Sequence, residues 1–172
     1  MDEQKKSVLK ERAKRLAYKG DDELISKVLY EIIKFKLSDE HYAFEIGFIK
    51  EVMSIKEITP LKIHGADFIV GIINLRGQIL SVVDIRKFYG IPTKGIAELG
   101  YLLVLKFNGN EVGVLADKVE GIYGVSEDEL QDSFYGLEGI QKDFLKGVTS
   151  DRTAILEAQK LLTDKKLIIN QK

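Results

Sequence analysis

The sequence predicts a mainly β protein, folded as antiparallel barrels or a sandwich, and three observations carry that reading. From Val28 onward, β-branched and aromatic residues come in short runs, each ended by turn residues. About nine such runs follow one another at regular spacing with little helix between them, which argues against a parallel sheet with crossover helices. Between two of them stands Asn108-Gly109-Asn110, the clearest hairpin signal in the chain.

Over residues 7–19, Leu9, Ala13 and Leu16 recur at spacings of four and three, a narrow apolar stripe on a helix that Gly20 would end. Its basic side carries Lys10, Arg12, Lys14, Arg15 and Lys19, and Asp21, Asp22 and Glu23 follow at once. Residues 28–37 read as a strand, 38–41 as a hairpin loop and 42–46 as the returning strand, with Tyr42, Phe44 and Ile46 alternating onto one face. Residues 48–53 read as a helical turn leading into a strand, and 55–67, with Pro60 and Gly65, as a loop. Two strands follow at 71–75 and 79–83 around a tight turn at Gly77-Gln78, and then a helical piece at 85–89 that Pro92 and Gly95 close off. Residues 101–107 and 111–116 flank the Asn-Gly turn, and 119–125 adds a strand. Residues 126–142 are polar and glycine-spaced, a loop with helical fragments; 144–149 and 153–156 form a last hairpin around Asp151; 157–169 read as a helix.

Composition narrows the function classes. A chain of 172 residues with 45% hydrophobic and 31% charged residues is an ordinary globular protein with one sizeable core or two that lean on each other. A net charge of -1 gives no general reason to bind nucleic acid or an anionic membrane. The absence of cysteine excludes disulfides, cysteine nucleophiles and thiolate metal sites, and fits a cytoplasmic location. The longest apolar stretch, near residues 68–75, falls far short of the roughly 20 residues needed to span a bilayer. The charged N-terminus lacks the apolar region of a secretory signal.

Catalytic chemistry is hard to find. His41 falls in an expected loop and His64 in another, and neither has a serine motif or metal-ligand spacing beside it. The glycines around Gly71 and Gly77 follow no phosphate-binding spacing. The carboxylates at Asp21-Asp22, Glu127-Asp128-Glu129 and Asp151 fall where acids cap helices or face solvent. No cofactor or metal is expected. Recognition is the better reading, and Arg76 suggests where. It sits inside nearly continuous apolar sequence, and a guanidinium left unpaired out of water is costly, so it turns outward or has a partner. Glu51, also at the end of an apolar segment, could meet it at the rim of a hydrophobic groove or could be an unrelated surface charge.

The central residues resemble a known family. Phe68-Ile69-Val70-Gly71-Ile72-Ile73-Asn74-Leu75-Arg76-Gly77, with Ile79 and Val83-Asp84-Ile85-Arg86, closely resembles the signature of CheW, the coupling protein of bacterial chemotaxis. Upstream, Phe44, Ile49-Lys50-Glu51-Val52 and Pro60 fit the family's first third. Downstream, the run from Val112 to Val119 fits its second barrel, and Phe144-Leu145-Lys146-Gly147-Val148 with Ala154-Ile155-Leu156 fits its return strand. The resemblance implies a non-enzymatic adaptor of two packed, five-stranded barrels resembling SH3 domains, spanning residues 28–170, with residues 1–27 as a helix and linker outside the common core. It implies partners too: the histidine kinase CheA, through a regulatory domain of the same fold, and methyl-accepting chemoreceptors, with no nucleic acid and no membrane insertion. The adaptor would be monomeric alone, cytoplasmic, and recruited to receptor arrays. By resemblance Ile49, Glu51, Val52 and Arg76 line or brace the receptor groove, Glu51 and Arg76 as an ion pair, while Gly71 and Asn74 shape it. Leu103 and Val119 match second-barrel positions that support the interfaces. Ser81 departs from the family, standing where many members have proline. Two other readings stay open: an adaptor of this fold in a kinase pathway unrelated to motility, and a small barrel that binds an oligonucleotide or metabolite.

Overall fold

The computed structural model describes residues 28–90, 100–131 and 144–168. The expected N-terminal helix, Pro92 and Gly95, and most of the loop after Ser126 lie outside these residues. Two six-stranded sheets account for most of what is described. The first joins β1 (Val28–Leu37), β2 (Glu40–Glu45), β9 (Lys118–Ser126), β10 (Leu130–Gln131), β11 (Leu145–Thr149) and β12 (Ala154–Leu156), in the order β10-β11-β12-β2-β1-β9. The second joins β3 (Ile49–Ser54), β4 (Thr59–Pro60), β5 (Ile69–Leu75), β6 (Gln78–Val83), β7 (Tyr101–Phe107) and β8 (Asn110–Ala116), in the order β3-β7-β8-β6-β5-β4. The mainly β, two-barrel architecture expected from sequence is therefore present. Each sheet has six strands where the resemblance implies five, the two-residue strands β4 and β10 included.

Each sheet is antiparallel except for one parallel contact, β12 beside β2 and β6 beside β8. The second sheet is continuous in sequence and is inserted between β2 and β9 of the first.

Three apolar clusters follow from strand alternation. Ile32, Ala43, Val125 and Ile155 fill the first barrel, and Ile55, Leu80, Val82, Leu102, Val104 and Leu115 fill the second. The largest cluster lies between them and draws Phe35, Tyr42 and Phe44 from one sheet and Val83, Leu103 and Val114 from the other. This explains why β7 reads Leu-Leu-Val-Leu without a polar break: Leu102 and Val104 face the barrel interior, Leu103 and Leu105 the shared core. The rings of Phe35, Tyr42 and Phe44 stack there, with centroids 5.9 and 5.5 Å from that of Phe35.

Turn chemistry fixes the register. Asn108 and Gly109 both take positive φ, 49° and 82°, as a two-residue hairpin of this hand requires. The β5–β6 hairpin uses the same geometry at Arg76 and Gly77, with φ of 51° and 86°. The turn is thus Arg76-Gly77, one residue earlier than the sequence suggests, and Asn74 Oδ1 accepts the Gly77 N–H at 2.9 Å to hold it. The β1–β2 loop shrinks likewise to Ser38 and Asp39, which moves His41 from a loop into β2.

The helices are short. Asp84 caps α1 (Ile85–Phe88) by accepting the Arg86 N–H. The expected C-terminal helix divides into α2 (Ala158–Thr163) and α3 (Lys165–Ile168) at Asp164, whose Oδ1 caps the second piece through the Lys166 N–H at 2.9 Å. Leu161, Leu162 and Leu167 seal these turns onto the shared core.

One glycine is fixed by contact. A Cβ at Gly71 would lie 2.4 Å from the Thr59 carbonyl oxygen, because β4 crosses it closely in the Pro60–Gly71 pairing. Gly71→Ala is expected to destabilise the protein by about 1–3 kcal/mol through displacement of β4. Gly47→Ala, with nothing within 4 Å of its Cβ, serves as the control. Urea titration of the two variants measures the difference.

Candidate functional site

Glu51 owes its position to β3. Glu51 and Met53 stand opposite Val104 and Leu102, on the second barrel's face of the sheet, whereas Ile49, across an irregularity, stands opposite Leu105 and packs on the shared core. A register shift between Ile49 and Glu51 aims the carboxylate toward the β5–β6 turn. Arg76, held in that turn, meets it as a parallel fork, Nη1 to Oε1 and Nη2 to Oε2 both at 3.1 Å.

The guanidinium is 75% exposed and the carboxylate 21% exposed. An ion pair this open contributes about 0.2–1 kcal/mol to folding. It fixes shape more than it stabilises, joining strands that lie far apart in the sheet order.

The other expected site residues are placed individually. Val52 is 37% exposed and Ile49 half-buried, and the register shift sets them opposite Leu103 and Leu105, on one face of the sheet. Gly71 admits β4, and Asn74 is an exposed turn residue. Leu103 is fully buried in the shared core and cannot touch a partner. Val119 packs on that core from β9, which belongs to the first sheet and not to the second barrel. That correction arises because the second barrel ends at β8, before the chain returns to pair with β1.

Two depressions lie on the second barrel, neither of them lined by Glu51 or Arg76. One of about 660 Å³ starts at Leu75 and Gln78 and runs over Ile72, Ile79 and Lys106. Another, of about 940 Å³, shares Leu61 and Ile63 with it and continues past His64 and Lys87. Ile79 is 66% exposed, an unusual position for a large aliphatic side chain. The rim is charged: Glu111 bridges Lys50 at 3.0 Å and Lys106 at 3.7 Å.

Nothing here is arranged for bond chemistry. His64 is exposed in its loop, and His41 is tied through Nδ1 to Glu120 at 2.9 Å. Glu129 closes a capping box on the Ser126 N–H. Among the described residues no group of three or more His, Cys, Asp or Glu is disposed to hold a metal, and no helix is long and apolar enough to cross a membrane.

Asp151 is structural. Burial pushes its carboxyl up, but hydrogen bonds from Lys34, Thr149 and Thr153 and the Lys34 charge outweigh this and hold it well below the ordinary carboxylate range. A group depressed on folding contributes stability above its unfolded pKa and loses it as pH falls. The melting temperature is therefore expected to drop below about pH 4, and to drop less steeply in Asp151→Asn, as thermal scans from pH 7 to pH 2 would record.

Sequence reasoning passed over a second constellation. Arg86 and Asp84 are buried together, 4% and 5% exposed, with Nε 3.0 Å from Oδ1 and Nη2 2.8 Å from Oδ2. Arg86 Nη1 also donates to Ser38 Oγ at 2.6 Å, and the Ser38 N–H donates to Asp117 Oδ2 at 2.6 Å. The network ties the β1–β2 turn of the first barrel to the β6–α1 junction of the second and to the β8–β9 crossing between the two. Its sequence signal was an acid and an arginine two residues apart in an apolar stretch.

Comparison with known proteins agrees with this geometry. The CheW-like domain family matches residues 31–166. The Treponema pallidum chemotaxis protein CheW is 24% identical over 145 residues, covering 80% of this chain and 85% of that protein. Its Thermotoga maritima counterpart is 32% identical over 101 residues, covering 59% and 66%. The crystal structure of the scaffolding protein TtCheW from Thermoanaerobacter tengcongensis superimposes with a TM-score of 0.65 at 27% identity, covering 80% of this chain and 90% of that one. One barrel inserted into another and a family match over most of the length lead to one conclusion: the chain belongs to the CheW-like family and is a non-enzymatic scaffolding adaptor of chemotaxis signalling.

Proposed function

We propose that the protein couples the cytoplasmic tips of methyl-accepting chemoreceptors to the histidine kinase CheA. The observation that carries this reading is the Glu51–Arg76 fork, an exposed pair of small folding value that holds the β5–β6 turn against β3, next in sequence to Leu75 at the end of the first depression. A receptor's helical hairpin lays apolar side chains against Ile49 and the exposed Val52, in a helix-in-groove mode. The regulatory domain of the kinase, itself a pair of like barrels, meets an apolar barrel end, for which the exposed Ile79 is the leading anchor. Such end-to-end contacts are heterologous, so they build rings or lattices with the kinase while the adaptor alone stays monomeric. Signalling is then a population shift within the assembly, in the cytoplasm at the receptor arrays.

Titration with receptor cytoplasmic fragments and with the kinase regulatory domain tests the reading. Both are expected to bind at once, and sizing of the adaptor alone to give a monomer. Failure to bind either protein, or a tight homodimer, overturns it. Binding to single-stranded nucleic acid that weakens steeply with salt would instead favour a nucleic-acid module.

A further inference from the structure

β9 is the outer strand of its sheet, paired to β1 on one side only. On this ladder Leu29 is 53%, Ile122 58% and Tyr123 49% exposed, three of the seven exposed large hydrophobic residues among those described. Tyr123 is engaged, since the Lys34 ammonium lies 5.7 Å from its ring centre. Ile122 pairs with Ile33, which enters the shared core, so Ile122 shares that face but lies beyond the core's edge. Gly121 and Gly124 flank Ile122 and Tyr123 and leave room on the strand. Glu31 and Glu127, both exposed, give this end of the ladder negative charge.

We infer that residues 7–19 dock as an amphipathic helix on this β1–β9 face. The chain enters β1 here, at the Val28–Ser126 pair, so residues 1–27 are tethered at one end of this surface. The seven residues 21–27 span up to about 23 Å, enough to reverse direction. Thirteen helical residues run about 20 Å, within the roughly 30 Å of β9. A helix this short is marginal in water unless its stripe of Leu9, Ala13 and Leu16 is covered. Leu29 and Ile122 supply that cover. With the stripe docked, Lys10, Arg12, Lys14, Arg15 and Lys19 lie on the flanks and outer side of the helix, above an end of the ladder that Glu31 and Glu127 make acidic.

The chain has no cysteine, so engineered pairs report proximity cleanly. In the full chain, Leu9→Cys, Ala13→Cys and Leu16→Cys are each combined with Ile122→Cys, or with Ile79→Cys on the second barrel. At least one Ile122 pair is expected to form an intramolecular disulfide ten or more times faster than its Ile79 counterpart. Equal rates, or disulfides mainly between molecules, overturn the proposal. Independently, Ile122→Asp should speed protease cleavage within residues 1–27 at least fivefold without moving the melting temperature. An unchanged cleavage rate also overturns it.

Discussion

Arg86→Ala is expected to lower folding stability by about 3–5 kcal/mol. The cause is the charge left behind more than the charge removed. Asp84 is buried, and without Arg86 its two oxygens lose both of the side-chain hydrogen bonds that compensate them. Ser38 loses its donor at the same time, so the tie between the β1–β2 turn and the second barrel slackens. In a domain of this size each kcal/mol moves the melting temperature by about 2–4 °C, so a fall of roughly 10 °C is expected in a thermal scan. Replacing both partners, as Asp84→Asn with Arg86→Met, should recover much of the loss, because no uncompensated carboxylate remains. A single variant that melts within about 2 °C of the parent would refute the account.

Arg76→Ala should do the reverse: fold almost normally and bind poorly. The open pair gives up less than about 1 kcal/mol of stability. Docking a receptor over it removes water, and an unpaired Glu51 would then cost about 2 kcal/mol or more, which is a thirtyfold or greater weakening. Affinity for a receptor fragment and the melting curve, measured on the same preparation, separate the two effects. Unchanged affinity, or collapse of the fold, sinks the prediction. The exchange Glu51→Arg with Arg76→Glu adds detail: recovered affinity assigns the pair a bracing role, whereas continued weakness means that one head touches the receptor directly.

Much of this was legible in the residues, because alternation and turn chemistry are local. The strands β1, β7 and β8 were readable from their apolar runs and the Asn-Gly turn. Glu51 and Arg76 stood out because each interrupts apolar sequence, yet only the folded sheet brings them to 3.1 Å. What escaped were features set by distant partners. The two-residue strand β4 exists only because Gly71 lets it approach. Arg76 tolerates a left-handed backbone because the twist of the hairpin demands it and Asn74 supports it. The Asp84–Arg86–Ser38–Asp117 network joins segments up to 79 positions apart, and nothing in local spacing announces such a meeting.

The inserted arrangement of the sheets bears on how the chain is made. A ribosome releases β3 to β8 before β11 and β12 exist, so the second barrel can close on the growing chain. The first cannot, because β2 must wait for β12, which arrives more than a hundred residues later. Until then Phe35, Tyr42 and Phe44 lack much of their cover. Truncation before residue 154 should therefore yield a chain with one sound barrel and one sticky, protease-sensitive hairpin, the form in which a stalled or prematurely ended copy would reach the cell's quality control.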